Sequence, residues 1–98
     1  MYAVIFRALL NSVDDAYFET AARLRQLATD NYGCIEFTAV TEGTQEIAIS
    51  YWASLEQIKA WKQDPEHHEA QKLGRERWYK QYQVQIVKVE KEYRADQL

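Results

Sequence analysis

The sequence predicts an α+β chain of order βαββααβ built on an antiparallel sheet, and three observations lead there. Apolar or alternating runs of strand length stand near both ends of the chain and as a pair in its middle. Helix-start signals precede three further segments, the first of which shows helical spacing. A compact turn, Glu42-Gly43-Thr44, joins the two central runs as a hairpin. At 98 residues and 47% apolar content, the chain is expected to be a single domain over residues 1–98, with room for one core.

The first strand is Tyr2–Leu10, YAVIFRALL, where only Arg7 interrupts an apolar run suited to burial on both faces. Ser12-Val13-Asp14-Asp15 then offers side-chain acceptors to the free amides of a helix start, and Val13, Tyr17, Ala21, Leu24 and Ala28 recur at spacings of three and four as one stripe. Asn31-Tyr32-Gly33 ends this helix, glycine accepting the left-handed conformation of such endings. Residues 34–41 and 46–52 form the hairpin. Ser54-Leu55-Glu56-Gln57 is a capping box that starts a second helix at about Leu55. Asp64-Pro65-Glu66 starts a third, because proline leaves no amide unpaired at the first helical position. Residues 82–90, YQVQIVKVE, alternate as a last strand, and the charged tail after Lys91 is expected to be mobile or to lie on a partner. The order is ferredoxin-like, with its second helix divided in two. Strands one to three are apolar on both faces, so a second sheet is expected against the face without helices, which predicts a homodimer.

A net charge of −3 and a pI near 5.3 supply no broad basic field, which argues against nucleic acid or an anionic membrane as partner. The first two strands lack the aromatic and basic pattern of RNA-recognition domains that share this order. No apolar run approaches the roughly 20 residues that span a bilayer. Cys34 has no second cysteine in the chain, and no basic segment followed by an apolar run opens the sequence, so a reducing cytoplasm is the expected compartment. Phosphate-binding glycine loops and the GxSxG elbow are absent, which disfavours phosphate cofactors and acyl-enzyme chemistry.

Candidate site residues concentrate between Ile49 and Tyr79, a stretch holding all three tryptophans, both histidines and the only proline. On a helix starting at Pro65, the residues His67, Gln71, Gly74 and Trp78 share one face. A glycine there implies close approach of a neighbour or space kept for a ligand. His67 titrates near neutrality when unperturbed and suits a general base; the alternative is ordinary packing at a helix start. His68 diverges toward Lys72, Arg75 and Tyr79 and is expected in solvent; without HExxH or a cysteine cluster, the two histidines form no metal motif. Trp61 lies with Leu55 and Ile58 on an apolar helix side, either as core or, with Trp78 and Trp52 or Tyr51, as the wall of a slot for a flat aromatic ligand. Arg7 and Asn11 share side-chain parity with Ile5 and Leu9. An arginine in so apolar a strand needs a partner, with Glu36 or the tail carboxylates ranked ahead of a ligand.

Taken together, Trp52, the Ser54-Leu55-Glu56 start, Trp61, Pro65-Glu66-His67, the Ala70-Gln71-x-x-Gly74-Arg75 run and Trp78-Tyr79 resemble the antibiotic biosynthesis monooxygenase (ABM) family. Phe6-Arg7 and residues 84–90 extend the resemblance to nearly the whole chain. It implies a dimeric α+β barrel and, in some members, an oxygenase that needs no metal or flavin. The expected function is therefore a cofactor-independent monooxygenase of a small aromatic, phenol- or hydroquinone-like substrate. His67 would be its base, and Arg7, Asn11, Trp52, Trp61, Gln71 and Trp78 would be its substrate contacts. Haem-degrading relatives place a histidine ligand about ten residues after the tryptophan matching Trp61, where this chain has Gln71, a poor iron ligand. The competing expectation is a non-enzymatic barrel that binds a small ligand or haem; a rearranging isomerase or lyase would need an acid–base pair that the sequence does not display.

Overall fold

The computed structural model describes residues 1–96. Four strands, β1 (Tyr2–Leu10), β2 (Glu36–Glu42), β3 (Gln45–Trp52) and β4 (Tyr79–Lys88), form one antiparallel sheet in the order β2-β3-β1-β4. Helix α1 (Asp15–Asn31) crosses between the first two strands, and α2 (Leu55–Lys62) and α3 (Pro65–Leu73) lie between the last two. This is the expected βαββααβ, ferredoxin-like arrangement.

The caps sit where the sequence puts them. Asp14 accepts from the Tyr17 amide at 3.0 Å, Ser54 from the Gln57 amide at 3.3 Å and Asp64 from the Glu66 amide at 2.8 Å, each satisfying a donor that the first turn leaves free. The reciprocal arm of the capping box does not close, since the Gln57 Oε1 atom is buried without a partner. Gly33 follows α1 at φ +80°, as its place in the sequence predicts. Strand boundaries depart more. The Cys34 amide bonds back to the Ala28 carbonyl at 2.9 Å, so β2 starts two residues later than expected. β4 starts three residues early, because α3 runs on through a five-residue π turn, Gly74–Trp78, that delivers the chain straight into the sheet.

The two sheet faces carry different loads. Tyr2, Val4, Phe6, Ala8 and Leu10 of β1, with Glu46, Ala48, Ser50 and Trp52 of β3, point toward the helices. One buried cluster, comprising Val4, Ala28, Cys34, Trp52, Ile58 and Trp61, fills one end of this layer; another, of Leu10, Tyr17 and Trp78, fills the opposite end. The alternate residues Ile5, Leu9, Ile47, Ile49 and Tyr51 line the other face, which no helix covers. Ile47 and Val87 there are 40% and 38% exposed, a substantial apolar surface for a chain of this size. No helix among the described residues is long and apolar enough to cross a membrane.

Candidate functional site

Between the two core clusters lies a cavity of about 380 Å³. Its floor is the helix-facing side of the sheet, where Ala39 of β2 and Ala48 of β3 stand opposite each other in register and leave room by their small size. Its roof is α1 and α3. Trp61 and His67 close one end; Trp78, Tyr17 and Tyr79 close the other, with Tyr17 and Trp78 edge-to-face at 5.3 Å.

His67 is placed by its helix start. The Tyr32 hydroxyl donates to Asp64 at 2.6 Å, which holds that carboxyl below its usual range while Asp64 caps α3. The imidazole then meets Trp61 edge-on, 4.5 Å between centroids, and is only 9% exposed. Burial, reinforced by the positive charge of Lys62, pushes its pKa down to about 4, so the ring is neutral at pH 7. Its Nδ1 atom has no hydrogen-bond partner among the described residues.

The tryptophans divide the work. The Trp52 indole is fully buried behind Trp61, with ring centroids 5.1 Å apart, and gives its N–H to Ser50 Oγ at 2.9 Å, so it supports the wall. Trp61 lines the cavity but spends its N–H on the Leu24 carbonyl at 3.2 Å. Trp78 also lines the cavity, and its Nε1 atom is buried without an acceptor. Gln71 lines the cavity one turn after His67. The space beside Gly74 holds the Tyr79 ring, which a Cβ would strike, so this glycine serves a close side-chain approach and reserves no room for a ligand.

Arg7 and Asn11 lie outside the cavity. Arg7 projects from the uncovered sheet face and donates to Gln85 on the adjacent strand at 3.2 Å, in place of Glu36 or the tail carboxylates. Asn11 is exposed, and its backbone amide donates to the Trp78 carbonyl at 2.7 Å, anchoring the end of the π turn.

Glu46 was not among the residues singled out from the sequence. It is 8% exposed, lines the cavity, and its Oε2 atom has no partner; desolvation raises its pKa. The signal for it was strand parity, since Glu46 alternates in phase with Trp52. Among the described residues no group of three His, Cys, Asp or Glu side chains comes together as a metal site.

Residues 1–73 match the family described as antibiotic biosynthesis monooxygenase. The uncharacterized protein YqjZ of Bacillus subtilis (strain 168) is 38% identical over 92 residues, covering 93% of this chain and 81% of that one. Among solved structures, Rv0793 from Mycobacterium tuberculosis superposes with a TM-score of 0.80 at 14% identity, covering 93% of this chain and 96% of that one. SnoaB from Streptomyces nogalater, a cofactor-independent oxygenase, gives a TM-score of 0.77 at 11% identity, covering 93% of this chain and 94% of that one. Such distant likenesses speak for the fold, whereas the family match and the bacillary relative speak for descent: the chain belongs to the antibiotic biosynthesis monooxygenase family.

Proposed function

We propose that this protein is a cofactor-independent monooxygenase of a small aromatic, phenol- or hydroquinone-like substrate and that it works as a homodimer. The observation that carries this reading is a cavity with aromatic walls in which Trp78 Nε1 and His67 Nδ1 are buried without partners. Buried polar atoms are rarely left unpaired, and a flat ligand with a few polar groups would complete them. SnoaB, a neighbour in fold, is an oxygenase of the cofactor-independent class.

In such a reaction the deprotonated substrate is itself the electron donor to dioxygen; one oxygen atom enters the product and the other leaves as water. His67, neutral before the substrate binds, accepts the phenolic proton at Nδ1. Its low pKa comes from burial and the charge of Lys62, and a phenolate formed beside the ring favours the imidazolium. The Trp78 N–H, at the opposite end of the cavity, donates to a second oxygen of the ligand onto which the phenolate charge delocalises, and the aromatic walls exclude water from the reactive intermediate. The uncovered apolar face supports the homodimer, since a second sheet packed there would bury Ile47, Ile49 and Leu9.

Oxygen-electrode measurements with a panel of hydroquinones and hydroxyanthrones test the activity. The expected result is protein-dependent uptake, reduced roughly 10²- to 10⁴-fold in His67→Ala. Ligand-induced thermal stabilisation without uptake across the panel would make the chain a binding module instead.

A further inference from the structure

Glu46 has no place in the reaction outlined above, yet it is the most exceptional polar group in the cavity. A carboxylate is among the groups least often buried alone, and among the described residues this one has neither a cation nor a hydrogen-bond donor on its Oε2 atom. It stands in a row across the sheet, Thr41 on β2, Glu46 on β3, Ala8 on β1 and Tyr82 on β4, in which its β1 neighbour Ala8 brings no side-chain hydrogen-bond donor. The nearby Tyr79 hydroxyl is held firmly protonated, chiefly by burial and then by the negative charge of Glu46, yet it makes no bond to that carboxylate.

Position decides what Glu46 can do. It is four residues from Ser50, whose partner across the β2–β3 pair is Phe37, a neighbour of Trp61. Four residues of strand span about 13 Å. Glu46 therefore belongs to the Trp78 end of the cavity, away from His67.

We propose that Glu46 is the specificity-determining acceptor of the site, its Oε2 atom taking a hydrogen bond from a hydroxyl group on the aromatic ligand at the end remote from His67. The proposal rests on the aromatic pocket described above and involves no proton transfer, only selection and orientation. A hydroxyl suits the site better than a cation, because Arg25 and Lys62 line the same cavity and the unpartnered Trp78 N–H, which lines it too, calls for an acceptor on the ligand. The ligand class is thus a flat aromatic that presents a hydroxyl donor to Glu46 and an oxygen acceptor to Trp78.

Binding of 2-naphthol, 2-methoxynaphthalene and 2-naphthylmethylammonium to the full chain, titrated by calorimetry, tests this without turnover. Wild type is expected to prefer the naphthol over its methyl ether by roughly tenfold to a hundredfold, the worth of a hydrogen bond to a charged acceptor. Glu46→Ala should erase that preference and leave the ether's affinity equal or better; Glu46→Gln, which keeps the shape, should retain only part of it. Circular dichroism checks that both variants fold. A preference unchanged in the variants, or none in wild type, overturns the role of Glu46 while leaving the aromatic pocket intact. Tighter binding of the ammonium probe than of naphthol overturns it in favour of a cation site. Failure of every probe to bind wild type overturns both this role and the pocket reading on which it rests.

Discussion

His67 ties stability to pH through its burial. In the unfolded chain the imidazole titrates near 6.5, whereas in the fold it does so at about 4, so between those values only the unfolded state takes up the proton. The stabilising contribution of the neutral ring is complete above pH 6.5 and is lost as the pH falls through about 4. Denaturant titrations at pH 7.5 and pH 4 should show wild type losing up to about 3 kcal/mol more than His67→Gln. Glu46 has the opposite sign, because its raised pKa marks a carboxylate that folding makes less comfortable. Glu46→Gln should raise stability by about 1 kcal/mol in a thermal melt, the common exchange of stability for a site. The sequence brought Trp61, His67, Gln71 and Trp78 into view because α-helical spacing and tryptophan content are read along one segment. Arg7 and Asn11 show where such reading stops: strand parity groups them with Ile5 and Leu9, but parity does not say which face the helices cover. Glu46 was hidden for the same reason, since β3 presents Ile47, Ile49 and Tyr51 on one side and Glu46, Ala48, Ser50 and Trp52 on the other, and the more apolar set is the one that faces away from the helices.

Helix starts were legible because a cap is a local event, decided by one side chain and the amides two or three residues on; Asp14, Ser54 and Asp64 all behave so. The end of α3 was not, because its π turn is set by what it packs against. Gly74 has ordinary helical φ, −59°, so alanine there would gain propensity, yet its Cβ would enter the Tyr79 ring. The clash is expected to win: Gly74→Ala should cost about 1–3 kcal/mol in urea denaturation, and Tyr79→Ala in the same chain should recover part of it. A full additive loss in the double variant would mean that the two residues do not meet. The early start of β4 follows from the same contact, since Tyr79 pairs with Leu10 beyond a register shift after Leu9.

For the whole molecule, the apolar content of both sheet faces was readable, and with it the expectation of a partner. Ile49 stands opposite Ile5 in the middle of the uncovered face. If the chain is the proposed homodimer, Ile49→Lys should shift sedimentation at micromolar concentration from dimer toward monomer, whereas Glu46→Gln, pointing into the cavity, should leave it unchanged. The cavity floor and that uncovered face are the two sides of the same four strands, one peptide layer apart. In the proposed homodimer, ligand binding and self-association would therefore meet on the two sides of one sheet. Any ligand that fits the associated form better must tighten association by the same factor by which association tightens the ligand. The apparent affinity for an aromatic ligand should then rise with protein concentration, and a dilution series would read the strength of the partner contact from the occupancy of a pocket on the other side of the sheet.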